Sequence, residues 1–276
     1  MSNQSMTVLV IGATGSIGSL VVEEVLRQGH SVRALVRNSE KAHRLPAKAE
    51  AVIGDLTRPE TLEAAVKGID AVVFTHGSDG AGKVGAETVD YGGVRNILLA
   101  LGARKVRIAL MTAIGVTNRT GSYNRSTESH NWKRRAERLV RASGCPYTIV
   151  RPGWFDYNKS DEHKLVFLQG DTRQAGNSSD GVIARRQIAE VLVQSLTSDE
   201  ALRKTFELVA TKGPAQKDLD ALFAALDPDS MEGLDGVRDK PNQPLEDEPQ
   251  RVQNDLHALS ANSGNSQRAG KGMRTK

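Results

Sequence analysis

The sequence has one cysteine, few aromatic residues and no long apolar run. Cys145 alone cannot form an intramolecular disulfide, which fits a reducing cytoplasm. Aromatic residues make up 4% of the chain, and its net charge of +4 is spread along the sequence without a nucleic-acid-binding motif. No run reaches the roughly 18 apolar residues of a membrane helix. The sequence therefore predicts a cytoplasmic protein with no nucleic-acid or membrane partner. Its oligomeric state stays open.

The N-terminus also lacks a signal peptide, because Met1 and the next few polar residues lead directly into an apolar run. Apolar, β-branched runs then alternate with helical patterns. The predicted strands are residues 8–11, 31–37, 50–53, 71–75, 106–112 and 147–150, and helices are predicted at 59–66, 88–101 and 131–142. Buried strands that alternate with helices are typical of a parallel sheet covered on both faces. We therefore predict an α/β fold with a doubly wound parallel sheet, the Rossmann fold.

The pattern is looser after residue 153. Residues 154–180 are polar and loop-like, a helix is predicted at 185–196, a strand at 206–210 and a short helix at 218–226. Apolar residues return at helical spacing over 252–259, and the residues after 261 are polar. We predict a single domain over residues 1–260, with a small substrate lobe from about 154–180 and 211–260. The tail, 261–276, is predicted to be disordered.

A glycine-rich turn directly follows the first apolar strand. Gly12 would allow the tight turn, Gly15 the approach of a pyrophosphate, and Gly18 the packing of the next helix on the strand. The N–H groups at the start of that helix would face the phosphates. A glycine-rich surface loop is the alternative interpretation. The β-α-β unit that contains the turn favours dinucleotide binding.

Several segments together resemble the short-chain dehydrogenase/reductase superfamily, in its atypical NmrA-like branch, over about residues 6–210. They are the turn at 12–18, Gly54-Asp55-Leu56, Val89-Asp90-Tyr-Gly-Gly93 with Asn96, Trp132-Lys133-Arg-Arg-Ala-Glu137, and the stretch from Ser143 to Arg151-Pro152-Gly153. The resemblance implies cofactor contacts at Gly12, Thr14, Gly15, Ser16, Ile17, Gly18, Asp55, Leu56, Thr75, His76, Gly77, Lys133 and Pro152. It also implies that Asp55 and Leu56 lie beside the adenine, although Asp55 is equally interpreted as a turn residue or helix cap. For Asn96 it implies a mainly structural role.

The end of the second strand decides which dinucleotide is favoured. NAD binders place an acidic residue there to hold the ribose diol. This chain has Arg37 at that position, with Arg33 earlier on the strand and Lys41 just beyond it. A guanidinium cannot accept a hydrogen bond from a hydroxyl but binds a 2′-phosphate well. The sequence therefore predicts NADP rather than NAD, with a surface arginine at the strand end as the alternative.

Carbonyl reduction in this superfamily usually uses a tyrosine four residues before a lysine. Lys133 matches that lysine, but Ser129 stands where the tyrosine belongs. Tyr123, ten residues before the lysine, does not share its helical face. His130 is most simply a solvated histidine at the helix start. By the resemblance, Thr112 takes the place of the family's substrate-polarising serine, so Thr112 and Lys133 are the candidate catalytic residues. The alternatives are a hydrogen bond from Thr112 to a backbone group and an ordinary exposed helix lysine at 133. No metal site is predicted.

Two functions follow from this pattern. The first is an NADP(H)-dependent oxidoreductase that transfers hydride to a small quinone-, flavin- or carbonyl-type substrate. Trp154, Phe155 and Tyr157 would line an aromatic pocket over the nicotinamide, with packing of the small lobe as their alternative role. The second is a protein that senses NADP(H) without turnover. Lys133 and the aromatic residues favour the enzyme, whereas the missing tyrosine favours the sensor. A sugar-nucleotide epimerase is a weaker alternative, since those relatives also use the tyrosine.

Overall fold

The computed structural model describes residues 5–78 and 80–272. Its strands are β1 (Thr7–Ile11), β2 (Ser31–Val36), β3 (Ala49–Ile53), β4 (Ala71–Phe74), β5 (Arg107–Met111), β6 (Tyr147–Pro152), β7 (Trp154–Phe155), β8 (Lys164–Leu168), β9 (Val182–Ile183) and β10 (Lys204–Thr211). Its α-helices are α1 (Gly18–Arg27), α2 (Ser39–Ala42), α3 (Glu63–Val66), α4 (Gly82–Gly85), α5 (Gly92–Leu101), α6 (Ser122–Thr127), α7 (Ser129–Ala142), α8 (Arg185–Gln194), α9 (Asp220–Ala224) and α10 (Gln250–Gly272).

The strands form one sheet in the order β3-β2-β1-β4-β5-β6-β10-β9-β7, with β8 paired to β10. All contacts from β3 across to β10 are parallel, whereas β8 and β9 pair with β10 in the antiparallel sense. The first six strands thus have the doubly wound order. The predicted α/β doubly wound fold is confirmed.

Helices cover both faces of the sheet because strand residues alternate between them. Leu9 and Ile11 of β1 pack in a core formed with α3, α5, α7 and α10. Val8 and Val10 of the same strand pack in a second core formed with α1, α8 and α9. Both faces of β1 are fully buried. This explains why the strand is a continuous apolar run instead of an alternating one.

The strand order fixes where a ligand can enter. From β1 the chain moves outward through β2 and β3, then returns to β4 on the other side of β1. In sheets of this kind a crevice opens between the carboxyl ends of the two strands where the direction reverses. The residues that follow β1 and β4, 12–18 and 75–77, therefore border the same crevice.

The second half of the chain contains more regular structure than predicted. Residues 154–180, predicted as loops, include β7 and β8. Both are short strands at the sheet edge beyond β6, and strands of this length carry little periodic signal in the sequence. Helical structure also begins earlier than residue 88, with α4 and a π-helical turn over Ala86–Tyr91 before α5.

The last helix, α10, begins at Gln250 and packs Val252, Leu256 and Leu259 into the core beside α5 and α7. The disordered tail predicted over 261–276 overlaps the end of this helix and stays a prediction, and residues 273–276 lie outside the described residues. Among the helices of residues 5–78 and 80–272, none combines the length and the apolar character needed to cross a membrane.

Candidate functional site

The glycine-rich turn after β1 is tightly packed. Gly12 has a φ of +84°, which favours glycine, and a Cβ built there would lie 2.9 Å from the backbone nitrogen of His76. A Cβ on Gly18 would lie 2.0 Å from the carbonyl oxygen of Gly12. A Cβ on Gly15 would approach only that same oxygen, at 3.1 Å. Two glycines therefore let the turn close, and the third leaves its outer side free of a side chain.

The same turn has backbone donors without acceptors. Among the described residues, the N–H groups of Thr14, Ser16 and Ile17 form no hydrogen bond, and no side chain caps the N-terminus of α1. Unpaired amides at a helix N-terminus, together with the helix dipole, favour an anionic ligand. The turn therefore fits the pyrophosphate of a dinucleotide.

Arg33, in β2, and Arg37, directly after it, have different environments. Arg33 is used within the fold, because its Nε donates to Glu50 at 2.8 Å and its Nη1 donates to the Lys67 carbonyl at 2.5 Å. Arg37 is exposed, and in the described part of the chain it has no hydrogen bond or ion pair. Arg37, at the end of β2, is thus the one of the two that can meet a 2′-phosphate.

Asp55 and Leu56 follow β3 beside Arg37. Asp55 accepts hydrogen bonds from the backbone and side chain of Thr57, both at 2.8 Å, and the backbone bond, aided by the positive charge of Arg37, lowers the pKa of Asp55. Its carboxylate therefore holds a turn. The Leu56 carbonyl accepts from Asn96 Nδ2 at 2.7 Å, a structural bond like the one the resemblance implies. Whether the pair contacts an adenine remains a prediction.

The residues after β4 form the opposite side of the crevice. Thr75 Oγ1 donates to the Ile11 carbonyl at 2.9 Å and so joins β4 to the end of β1. Gly77 follows in an exposed position. The His76 ring lies 3.1 Å, through Nε2, from the Val89 carbonyl, and a Cβ on Gly93 would lie 2.9 Å from that nitrogen. The histidine is thus packed against Gly93 of the Val89–Gly93 motif.

His76 is held in its neutral form. Burial lowers the pKa of His76 from 6.5 to about 4, and its Nδ1 is buried without a partner among the described residues. With Nε2 donating to the carbonyl, Nδ1 is a bare acceptor. His76 therefore offers the site an acceptor and no positive charge at neutral pH.

Because the folded chain disfavours protonation of His76, its stability should fall as the pH drops from 6.5 towards 4, where only the unfolded chain binds the proton readily. His76→Gln keeps an amide donor for Val89 but does not titrate. Between pH 6.5 and 4, the free energy of unfolding should therefore fall by on the order of 2 kcal/mol less for this variant than for the parent. Urea unfolding at several pH values checks this, with exposed His43→Gln as the control. Parallel pH profiles for the parent and His76→Gln would contradict it.

Lys133, in the first turns of α7, is held by an acidic residue that sequence reasoning missed. Its Nζ lies 3.1 Å from Asp90 Oδ2. Asp90 also accepts from the backbone and the hydroxyl of Ser78, both at 2.9 Å. It lies in the π-helical turn before α5, and such turns often occur at functional sites. The only signal in the sequence was its place in the Val89–Gly93 motif.

Thr112, just after β5, is also held within the fold. Its hydroxyl donates to Glu137 Oε1 at 2.8 Å, and Glu137 lies between the guanidinium groups of Arg141 and Arg151. A hydroxyl has one proton, so in this arrangement Thr112 faces a ligand as an acceptor. The predicted role of Thr112 as the donor that polarises a substrate stays a prediction.

Thr112 and Lys133 border one narrow cavity of about 10 Å³, close to the size of one water molecule. Its lining also includes His76, Asp90 and Met111. The structure thus brings together the candidate catalytic residues with the segment after β4. Pro152, at the end of β6, is buried and contributes a carbonyl that accepts from Ile114 N at 3.0 Å.

Tyr123, in α6, and His130, at the start of α7, lie close to each other. The rings of Tyr123 and His130 are 5.2 Å apart, and Tyr123 is 57% exposed. Burial lowers the pKa of His130, so it is not the solvated histidine that was expected. Ser129 is buried. No tyrosine is therefore placed in the first turn of α7, where the superfamily that the sequence resembles usually has one.

A larger cavity of about 380 Å³ lies beyond β10, lined in part by Ile114, Phe167, Arg173 and Glu207. Burial raises the pKa of Glu207 to about 7. None of the predicted cofactor residues lines this cavity.

In the described residues no group of three or more His, Cys, Asp or Glu side chains could hold a metal ion.

Comparison with known proteins agrees with this geometry. A family model described as NAD(P)H-binding matches residues 12–199. Sanguinarine reductase of Eschscholzia californica is 30% identical over 266 residues, which cover 81% of this chain and 97% of that protein. An uncharacterised sugar epimerase of Bacillus subtilis is 32% identical over 79% of this chain and its own full length.

Among solved structures, a Bacillus halodurans protein described as a candidate NAD-dependent epimerase/dehydratase superposes with a TM-score of 0.65 at 26% identity. The match covers 76% of this chain and 96% of that one. The resemblance to the atypical short-chain dehydrogenase/reductases is confirmed. The chain belongs to the NAD(P)H-binding family of Rossmann-type oxidoreductases.

Proposed function

We propose that the chain is an NADP(H)-dependent oxidoreductase that reduces a small quinone-, flavin- or carbonyl-type molecule. One observation carries the proposal. Lys133 is fixed by Asp90, at 3.1 Å, at the carboxyl ends of the parallel strands, where the unpaired amides of the glycine-rich turn also lie. A cation held there can contact both a cofactor that lies along the crevice and the substrate beside it.

The cofactor would be held by separate groups along the crevice. The amides of Thr14, Ser16 and Ile17 take the pyrophosphate, Arg37 takes the 2′-phosphate, and Lys133 contacts the ribose next to the nicotinamide. When bound, the nicotinamide supplies the hydride. The protein needs only to orient the acceptor molecule and stabilise the charge that develops on it.

Lys133 is the donor that serves this purpose. Its ammonium has three N–H bonds, and Asp90 occupies only part of that capacity. A further N–H can donate to the oxygen or nitrogen that becomes negative in the substrate. Since no tyrosine occupies position 129, acceptors that tolerate a weak acid, such as quinones and flavins, suit this site better than simple ketones.

The substrate lobe is proposed at residues 154–180 and 211–260. Trp154 and Tyr157 are 37% and 66% exposed, and their rings meet edge to face at 6.2 Å. Exposed aromatic side chains just after β6 offer a surface for a flat, conjugated molecule. The name sanguinarine reductase, borne by a relative, also supports reduction of a small molecule. The proposed location is the cytoplasm, in line with the single free cysteine.

Arg37→Glu tests the choice of cofactor. A carboxylate repels a 2′-phosphate but accepts a hydrogen bond from a ribose hydroxyl. We expect NADPH to bind at least about 30-fold more weakly, or roughly 2 kcal/mol, and NADH to change less than about threefold. Calorimetric titration of each nucleotide measures this, and Arg33→Glu is no control because Arg33 supports the fold. Arg44→Glu, at an exposed position after α2, is the matched control. Equal losses for NADPH and NADH would contradict the assignment to NADP.

The proposed activity is tested with the purified chain, NADPH, and a panel of one quinone, one flavin and one aldehyde. Loss of NADPH absorbance with the quinone or flavin supports the proposal. Tight binding of NADPH with no consumption by any of the three would favour the sensor. Absence of binding to both nucleotides would overturn the proposal altogether.

The sensor remains the second candidate because of one observation. The hydroxyl proton of Thr112 is donated to Glu137, and position 129 is a buried serine, so neither of these two family positions presents a free acid. A site that binds the dinucleotide but lacks an acid for the substrate would read the redox state of the cofactor. Measurable oxidation of NADPH in the presence of a substrate distinguishes the oxidoreductase from the sensor.

A further inference from the structure

We infer that Arg185, at the first position of α8, is a ligand for the pyrophosphate of the bound dinucleotide. The inference rests on the proposed function and adds a residue from the second half of the chain to the site. The arginine lies outside the glycine-rich turn, the segment after β4 and the lysine motif. Sequence reasoning did not single it out.

Arg185 already contacts the phosphate-binding turn. Its Nε donates to Ser16 Oγ at 3.2 Å, and Ser16 is one of the residues whose backbone N–H is unpaired within the described chain. A phosphate that accepts from this amide therefore lies next to the guanidinium. The side chain is 35% exposed, so it can shift by a small rotation towards an anion in the crevice.

The sheet edge determines the position of Arg185. The short strands β7 and β9 pair in parallel, and the Asp156 N–H donates to the Ile183 carbonyl at 2.8 Å. Asp156 has a φ of +58°, a left-handed conformation that aspartate tolerates, and its carboxylate accepts from the Arg185 N–H at 3.0 Å. The pairing of β7 with β9 thus places the segment after β6 and the start of α8 next to the glycine-rich turn.

Asp156 also pairs with the Arg185 side chain. Its Oδ2 accepts from Nη1, and the guanidinium lies 5.3 Å from the centre of the Phe155 ring. The Phe155 ring faces the Arg185 guanidinium. The Asp156 carboxylate would compete with a phosphate for the N–H groups of that guanidinium. A guanidinium offers five donors in a fixed plane, which suits a phosphate better than a lysine would. The carboxylate should therefore weaken cofactor binding, and its removal should strengthen it.

Arg185→Ala is expected to weaken NADPH binding about 10-fold, measured by calorimetric titration of the full chain. Arg185→Lys should recover only part of that loss. Asp156→Asn should tighten binding by a few-fold, an effect that a misfolded variant cannot imitate. Arg186→Ala is the matched control, because Arg186 pairs with Glu23 on the surface of α1 and the two side chains are 46% and 52% exposed. It should leave the affinity unchanged.

A second ligand shows which part of the dinucleotide Arg185 contacts. 2′-AMP carries the 2′-phosphate but no pyrophosphate, and its affinity is measured by competition with NADPH. Arg185→Ala should leave the affinity for 2′-AMP unchanged, whereas Arg37→Glu should remove it. Equal weakening of NADPH and 2′-AMP by Arg185→Ala would overturn the inference, and so would an unchanged affinity for NADPH. If the parent chain binds no NADPH, the proposed function fails and the inference fails with it.

Discussion

Replacing Arg151 with alanine is expected to lower the free energy of unfolding by about 4 kcal/mol. Arg151 is fully buried on β6. Its Nε and Nη2 donate to the two oxygens of Glu137 at 3.0 and 2.7 Å, and Nη1 and Nη2 donate to Asp239 at 2.7 and 2.6 Å. Glu207 completes the group at 3.3 Å. Glu137 keeps Arg141 at 3.5 Å when Arg151 is removed, but among the described residues Asp239 and Glu207 have no other ion-pair partner and are left buried without one.

The physical reason is desolvation. A buried ion pair gains little over an apolar pair of the same size, but loss of one partner leaves the other charge stranded. Arg151→Lys keeps the charge but cannot bind two carboxylates in the fork geometry, so we expect an intermediate loss. Arg186→Ala breaks an exposed pair and should cost at most about 0.5 kcal/mol. Urea unfolding followed by circular dichroism measures all three, and a loss below about 1 kcal/mol for Arg151→Ala would show that the cluster relaxes.

Replacing Lys133 with alanine is expected to lower kcat/KM for NADPH-dependent reduction at least about 100-fold. The variant removes the proposed donor to the substrate and leaves the Asp90 side chain, 2% exposed, without its cation. If the lysine acts on the developing charge, the loss appears mainly in kcat. NADPH affinity should fall much less, because the pyrophosphate and the 2′-phosphate keep their contacts.

Lys67→Ala is the matched control for this experiment. Lys67 is exposed and precedes β4. It therefore lies at the amino ends of the parallel strands, whereas the crevice lies at their carboxyl ends. Steady-state kinetics with the quinone or flavin that gives turnover compares the three chains. If Lys133→Ala reduces kcat/KM only through a higher KM, the lysine binds cofactor and substrate without aiding the chemical step. Unchanged kinetics would remove it from the site.

The arginines of α7 show what the sequence could not predict. Arginine side chains usually stay in contact with solvent, yet all four of these are buried: Arg134, Arg135, Arg138 and Arg141. The segment 229–248, the C-terminal strap, covers them and supplies most of their partners, among them Asp229, Asp235, Asn242, Gln243 and Glu248. Arg138, for example, donates to Asp235 at 2.7 Å and to Glu248 at 2.8 Å. These partners lie about a hundred residues away in the sequence, beyond any local pattern.

Thr112 and Asp90 illustrate the same limit within the site. The position of Thr112 at the end of β5 follows from the strand pattern, but the direction of its hydroxyl depends on Glu137 of α7. The pairing of Asp90 with Lys133 likewise requires that the π-helical turn before α5 pack against α7. A motif places a residue along the chain, whereas its protonation and hydrogen-bond partners depend on elements that meet only in the fold.

The sequence by itself determined the doubly wound sheet and the tight glycine-rich turn after β1. Both depend on local rules, because buried parallel strands must be continuously apolar and a turn that passes this close to neighbouring backbone must lack side chains. The tertiary structure alone decided that Arg185 reaches the turn and that Asp90 holds Lys133. It also decided that Glu137 takes the proton of Thr112. These contacts join side chains far apart in sequence, and their geometry exists only after the sheet has brought its strands together.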